Sequence, residues 1–295
     1  MNKIKLTNSL NIKFTNIPEN HFDQLHRTFQ LSFRNYHTTI NTSHKALKNR
    51  FNRLGVRLSQ SVAAYHNEEL IAFILQSEGV FNNKKTAYNA GTGVLPEYRG
   101  HKISRSLYEY AFDLLKQDSF EQCILEVITQ NIPALKVYNQ LGFFTVRDLI
   151  CYKAANVIQK SHSKINIHLQ KLENRIPEWS LYQTFFDFAP TWQNSTTSVI
   201  RNFDEEIIIE AHYKSDVVGI IIFDPDYGSI SQIAVHKGFR RKGIGTQLLR
   251  AASAFIVTPN ISIINVDGSF ADANAFFINN GFKEIIRQKE MIKEF

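Results

Sequence analysis

At 295 residues the chain is long enough for two ordinary domains, since domains cluster near ~100–150 residues. A hydrophobic content of 43%, with 12% aromatic residues, excludes a disordered or low-complexity polymer and predicts large cores. The formal charge of +7 favours anionic partners, yet the basic residues are scattered in short clusters such as Arg240-Arg241-Lys242. No basic stripe interleaved with aromatics appears, which argues against a nucleic-acid binder.

Cys123 and Cys151 each stand in an apolar, strand-like stretch. Two such cysteines make neither a disulfide framework nor a metal-ligand spacing, so no metal site is expected. The first residues lack the apolar core of a signal peptide. The longest apolar run, Val217–Phe223, falls far short of the ~20 residues of a membrane helix. A soluble cytoplasmic protein is expected.

In chain order, a strand is predicted near Leu10–Phe14, followed by helices through Asn20–Tyr36 and Ser43–Leu54. Strands Ser61–Tyr65 and Leu70–Gln76 flank a His66-Asn67-Glu68 turn. A strand at Ala87–Leu95 leads to a helix at His101–Gln117, which places Ile103, Leu107, Ala111 and Leu114 on one face. A strand at Gln122–Thr129, a helix at Ile132–Leu141 and strands after Phe143 follow. The polar stretch 156–164 reads as a linker between domains at 1–155 and 165–295. The second domain opens with a strand at Ile165–Leu169 and continues with strands Glu206–His212, Val217–Phe223 and Ser229–Val235. Its central helix sets Ile244, Leu248, Ala251 and Phe255 on one face. Hairpins alternate with crossovers, so both domains are expected to be mixed α/β, each a mostly antiparallel sheet flanked by helices.

The punctuation repeats. Arg99 and Arg240 are 141 positions apart, and Gly142-Phe143 precedes Gly281-Phe282 by 139. Matching features in one order, with a two-residue difference in a loop, describe two copies of one fold.

In the second copy Arg240-Arg241-Lys242-Gly243-Ile244-Gly245 joins a strand ending at Val235 to an amphipathic helix. Such a turn aims several backbone N–H groups at one spot, and the helix start adds about half a positive charge there. A plain basic helix cap that binds nothing has the same local look. The first copy reads Arg99-Gly100-His101-Lys102-Ile103-Ser104 at this place, with Lys102 and Ser104 where the second has glycines.

Arg-x-x-Gly-x-Gly after a strand ending Ile-Ala-Val resembles the acetyl-CoA pyrophosphate loop of the GNAT acetyltransferase superfamily. Asn131, Ala134, Tyr138, Gly142 and Phe143 resemble its second coenzyme-binding and catalytic segment. The resemblance implies two tandem GNAT-like domains, with acetyl-CoA as co-substrate held by Arg99 to Ser104 in one and by Val235 and Arg240 to Gly245 in the other. It also implies carbonyl-binding amides near Val94 and Leu95, and a pantetheine contact at Asn131, which would serve equally as a helix cap. Substrate walls would come from the first helices, including Asn35 and Tyr36, and from the segment after Phe143.

Transfer to an amine of pKa ~10.4 needs a base, and a departing thiolate of pKa ~8.5 accepts a proton from a nearby phenol. The resemblance assigns these parts to Glu126 as base and Tyr138 as acid. Glu126 also suits a surface ion pair, and Tyr138 a half-buried helix anchor. The second copy has Asn265 and Phe277 at the matching positions, and neither exchanges protons near neutral pH. The expected activity is acetyl-CoA-dependent N-acetylation of a primary amine on a small molecule or protein, carried out by the first copy in a monomer or homodimer. The alternative is a non-catalytic module that binds or senses CoA.

Overall fold

The turn at Asn67 and Glu68 is a two-residue hairpin, with both residues left-handed (φ 49° and 66°). That is the geometry whose twist matches the flanking strands. It joins β2 (Val62–His66) to β3 (Glu69–Phe81). A second such hairpin at Asn82 and Asn83 (φ 52° and 61°) joins β3 to β4 (Lys84–Val94). Asparagine tolerates this conformation, so both strands run further than their apolar stretches indicate. In this computed structural model residues 11–34, 43–155, 164–173 and 176–295 are described. Leu10, Asn35, Tyr36 and most of the expected linker lie outside them.

The chain divides into two compact units. The first comprises Met1–Glu126, Gln130–Phe144 and Met291–Phe295. Its β1 (Ile12–Asn16) pairs antiparallel with β2, β2 with β3 and β3 with β4. β4 pairs parallel with β5 (Gln122–Ile128). α1 (Phe22–Phe33) and α2 (His44–Leu54) follow the first strand. Ser43 caps α2 by accepting from the Ala46 N–H, and left-handed Gly55 ends it. α3 (Ile103–Gln117) buries Ile103, Leu107, Tyr108, Ala111, Phe112 and Leu115. Leu115 thus replaces the expected Leu114, which is only half-buried, because the stripe repeats every four residues from Ile103 through Leu107 and Ala111 to Leu115. α4 (Ile132–Gln140) completes the unit. The chain's end belongs here too: the Phe295 N–H donates to the Glu121 carbonyl at 3.0 Å, and its ring lies 5.4 Å from that of Phe112.

The second unit comprises Val127–Thr129 and Thr145–Glu290. β7 (His168–Lys171), β8 (Ile207–Tyr213), β9 (Asp216–Asp224) and β10 (Ser229–Val235) pair antiparallel in turn. β10 pairs parallel with β11 (Asn260–Asp267), and β11 antiparallel with β6 (Phe144–Ala155). Most of β12 (Lys283–Glu294) belongs to this unit. The opening strand starts three residues later than expected, while Ile165 and Ile167 pack against the core. α5 (Trp179–Gln183) and α6 (Thr196–Arg201) precede β8; α7 (Ile244–Ser253) and α8 (Ala271–Asn279) follow β10 and β11.

α7 buries Ile244, Leu248, Leu249 and Ala252. These stand 141 positions after Ile103, Leu107, Tyr108 and Ala111. Ala251 and Phe255 are not on that stripe: the helix stops at Ser253, and Phe255 is 41% exposed beyond it. Leu107 and Leu248 are fully buried, and truncating either to Ala would cost about 2–5 kcal/mol. Each unit is a mixed, mostly antiparallel sheet flanked by helices. Among the described residues no helix is long and apolar enough to cross a membrane.

Candidate functional site

Each unit contains a fork between two parallel strands. In the first, β4 and β5 pair over Thr86–Gln122, Ala87–Cys123 and Tyr88–Ile124, then part. In the second, β10 and β11 pair only at Ser229–Ser262 and Ile230–Ile263. A bulge sits at each parting point. The register with β3 slips between Gln76–Asn89 and Leu75–Gly91, leaving Ala90 as the extra residue. The register of β10 with β9 slips between Ile230 and Gln232, leaving Ser231. Bulges bend the strand and redirect the backbone, which opens the sheet at this point.

Beyond the fork Leu95 does not offer the N–H expected of it, since that group donates to the Ile71 carbonyl at 2.9 Å. Strand N–H groups alternate in direction, so the Val94 N–H faces the open side. His236 donates to Val218 in the same way, which leaves the Val235 N–H facing its own fork. Gly93 allows close packing: a Cβ there would lie 2.5 Å from the Phe73 ring and 3.0 Å from Ser32 Cβ. Gly91 has no such constraint, with only Leu75 within 4 Å, at 3.8 Å.

The two loops share one backbone despite different side chains. Gly100 and Arg241 are left-handed at φ 83° and 61°. Lys102 and Gly243 are left-handed at φ 61° and 88°. Positive φ at Lys102 is the condition under which glycine is ordinarily needed, so the first unit keeps the turn at a cost in strain. After each turn the first helical donor is Ser106 to Lys102 or Gln247 to Gly243. The N–H groups of Ile103, Ser104 and Arg105, and of Ile244, Gly245 and Thr246, therefore have no partner within their own helix.

Arg99 and Arg240 work as clamps on these loops. Arg99 Nε donates to the Val94 carbonyl at 3.2 Å and Nη2 to the Ser32 carbonyl at 2.8 Å. Arg240 repeats the pattern on Val235 at 3.0 Å and Phe185 at 2.8 Å, and adds Asp187 at 2.6 Å. The Arg240 hydrogen bond holds the Asp187 carboxyl below its ordinary range. His101 folds back onto the Tyr98 and Arg99 carbonyls, and Lys242 Nζ donates to Gly238 over the Phe239 ring.

In the second unit a cavity of about 470 Å³ follows the fork from the loop to the α5 side. Its walls include Gly243, Gly245, Ala234, Ile263, Phe276 and Phe188. A Cβ at Gly245 would come within 2.8 Å of the Phe276 ring, so glycine lets loop and α8 approach. Phe277 is buried in the core at this fork, and Asn265 is a buried, left-handed residue of β11 that accepts from Gln288 at 2.6 Å.

The first unit brings Glu126 and Tyr138 to its fork on opposite faces. Tyr108 of α3 bonds Asn89 and, at 2.8 Å, Thr92, which marks one face of β4. Tyr88, next to Asn89, points to the other face and donates to Glu126 Oε2 at 2.5 Å. Tyr138 sits edge-on to Tyr108, with ring centroids 5.7 Å apart. Burial and then the nearby Tyr138 push the Tyr108 phenol well above its ordinary pKa, so it stays protonated. Asn131 caps α4, its side chain accepting from the Ala134 N–H at 3.3 Å.

Sequence reasoning missed Tyr88 and Tyr108. Tyr88 is 38 residues from Glu126 and carries no local signal. A polar-tipped tyrosine on the apolar stripe of α3 was a usable clue to a buried partner. Among the described residues no cluster of three His, Cys, Asp or Glu could hold a metal ion.

Known proteins resemble the chain along its length. The Acetyltransferase (GNAT) family model matches residues 22–143, and an Acetyltransferase (GNAT) domain model matches 204–284. N-alpha-acetyltransferase 30 of Saccharomyces cerevisiae is 30% identical over 71 residues, 24% of this chain and 40% of that protein. Its Schizosaccharomyces pombe namesake is 27% identical over 93 residues, 31% of this chain and 62% of that one. The chain thus aligns with less than two thirds of either. Among solved structures, a GCN5-related N-acetyltransferase from Sphaerobacter thermophilus superposes with TM-score 0.73 at 16% identity, covering 96% of this chain and 95% of that one. A tandem GNAT protein from the clavulanic acid biosynthesis pathway gives 0.73 at 12% identity, covering 96% and 98%. At such identities the likeness speaks for the fold, and the two family models speak for descent. The chain belongs to the GNAT acetyltransferase family, as a tandem of two of its domains.

Proposed function

We propose that the chain is an N-acetyltransferase that moves the acetyl group of acetyl-CoA to a primary amine of a small molecule or protein, with the N-terminal unit as the transferring site. The observation that carries this is the placement of Glu126 and Tyr138 on opposite faces of one open fork. The relatives' name, N-alpha-acetyltransferase, supports an amine acceptor.

The residues present suit the coenzyme. Gly243 and Gly245, the N–H groups at the start of α7 and Arg241 form a cradle for a diphosphate. The mostly apolar fork suits a pantetheine arm. In the first unit the same turn is formed with Lys102, which adds a cation beside that position. Bound there, acetyl-CoA supplies a thioester carbonyl open to attack.

Glu126, on the face opposite α3, accepts the proton of the incoming ammonium, with the Tyr88 hydroxyl holding its carboxylate in place. The Val94 N–H faces the opening, where it stabilises the oxyanion. Tyr138, on the α3 face, gives its proton to the departing thiolate as the C–S bond breaks, and the second proton of the acylated nitrogen, passed through solvent, restores it; Tyr108 positions it.

The test is amine-dependent release of free CoA by the full chain, read for wild type and Tyr138→Phe. Release that survives unchanged in Tyr138→Phe overturns the assignment to this unit. The intact loop and cavity of the second unit favour a second reading, a non-catalytic CoA-binding module. Acetyl-CoA binding with no release from a broad amine panel would favour it.

A further inference from the structure

Residues 187–194 of the second unit cross its fork and are fastened at both ends. At the mouth, on the β10 side, Asp187 is held by Arg240 Nη1 at 2.6 Å. The next residue, Phe188, packs on Phe270 just before α8, with ring centroids 4.5 Å apart. The Ala189 carbonyl then accepts from Arg147 Nη1 at 2.7 Å. Arg147 is a fixed anchor, because its Nε and Nη2 donate to both oxygens of the fully buried Glu290 at 2.5 and 2.8 Å.

The other end sits where the strands part. Ile230–Ile263 is the last parallel pair, and Ile264 is the first residue of β11 beyond it. The Asn194 side-chain amide donates to the Ile264 carbonyl at 2.8 Å, while its own backbone carbonyl accepts from Gln232 Nε2 of β10 at 2.8 Å. Asn194 thus joins both strands at the base of the fork and satisfies a buried backbone carbonyl there.

The side chains of β10 identify the face that is covered. Ala234 packs in the core of Tyr182 and Phe185, and Gln232, two residues before it, points the same way. Ile233 and Val235 pack in the α7 core instead. Segment 187–194 therefore covers the face opposite α7. In the first unit the matching face, opposite α3, is the one that carries Glu126. Phe186 and, within the segment, Phe188, Pro190 and Asn194 form one wall of the cavity, whose other end reaches Gly243 and Gly245.

We propose that this segment is a fixed strap over the acceptor face of the C-terminal fork, and that the unit is a holding site that keeps an acyl-CoA with its thioester shielded from amines and water. This rests on the reading that the fork binds an acyl-CoA. The coenzyme enters by the loop before α7, the end of the cavity that the strap leaves to Gly243 and Gly245. An amine has to come from the opposite face, where Asn194 joins the two strands and Phe188 meets Phe270 across the mouth. Asn265 and Phe277, in place of Glu126 and Tyr138, agree with this, since a site that discharges nothing needs no proton-transfer groups.

The experiment loads the full Tyr138→Phe chain with acetyl-CoA, removes the excess, and adds neutral hydroxylamine, which cleaves accessible thioesters to acetohydroxamate and free CoA. One portion of the bound coenzyme is expected to be cleaved roughly tenfold or more slowly than free acetyl-CoA, as in a water-excluding site. That portion should be absent when Gly243→Glu is added. Asn194→Ala and, separately, Phe188→Ala should each restore most of the lost reactivity. Cleavage of the Gly243-dependent portion at the rate of free acetyl-CoA overturns the holding site and leaves the coenzyme reading standing. Protection that persists in both strap variants assigns the shielding to the fork alone and overturns the strap. Amine-dependent CoA release by Tyr138→Phe that disappears with Gly243→Glu shows the second fork discharging its thioester, and overturns the proposal as well. Equal loading with and without Gly243→Glu means that the C-terminal fork holds no acyl-CoA, and then the coenzyme reading falls together with the strap.

Discussion

Lys102 stands in the left-handed conformation that Gly243 takes at the same place in the sister domain, with φ 61° and ψ 14° against φ 88° and ψ 0°. One turn is thus built twice, once from a residue suited to it and once from a residue strained by it. A non-glycine residue there costs about 1–2 kcal/mol, and glycine's looser unfolded chain offsets roughly half of that. Lys102→Gly is therefore expected to stabilise the N-terminal unit by up to ~1 kcal/mol. A urea titration at unchanged m-value checks it, and a lower midpoint contradicts it.

Chemistry in the N-terminal unit is best read with the other loop disabled. Gly243→Glu forces a side chain into a left-handed position and sets a negative charge at the start of α7. In that background Tyr138→Phe should lower turnover by about 10²-fold or more. Glu126→Gln should cost most at neutral pH and least at alkaline pH. A flat deficit across pH removes Glu126 as the base.

Asp187 makes the second loop sensitive to acid. The Arg240 guanidinium hydrogen-bonded to it holds its carboxyl below the ordinary aspartate range. A depressed carboxyl pKa stabilises the fold at pH above the unfolded value, and that stabilisation is lost as pH falls through the folded value. The side chain is 36% exposed, so screening limits the effect to no more than about 1 kcal/mol. Asp187→Asn should match the wild type in strong acid and be slightly less stable at neutral pH. Unfolding free energies at the two pH values decide the point.

Burial pushes the Cys123 thiol up to about 12, and Cys151 is buried beside Asn265 and Gln288. Alkylation requires the thiolate, so native protein at mildly alkaline pH should take up almost no iodoacetamide. Unfolded protein should take up two equivalents. Rapid labelling of Cys123 in the native state would show that the β5 core opens readily.

Much of the architecture was legible from local pattern. The repeat of Arg99 in Arg240 and of Gly142-Phe143 in Gly281-Phe282 marks the duplication, and it holds down to the buried stripes of α3 and α7. The loops were visible because helix starts carry short-range signals in neighbouring residues. Strand ends were less so: β3 and β4 run on to an Asn82-Asn83 turn whose positive φ values no apolar pattern announces. The α7 stripe bends away from Phe255 because the helix ends first.

Periodicity and turn chemistry act between residues a few positions apart, and so the duplicated fold and its two left-handed strand-to-helix turns are written in the chain. The partners of the polar side chains at the forks are not. Tyr88 meets Glu126 across 38 residues, and Ser231 meets Glu206 across 25. Neither pair has a spacing rule, because each forms only when separate strands fold side by side. The allotment of residues 145–155 to the second unit and 291–295 to the first is likewise a matter of strand pairing. Pairing depends on hydrogen bonds between distant backbones, and these leave no mark on either segment alone.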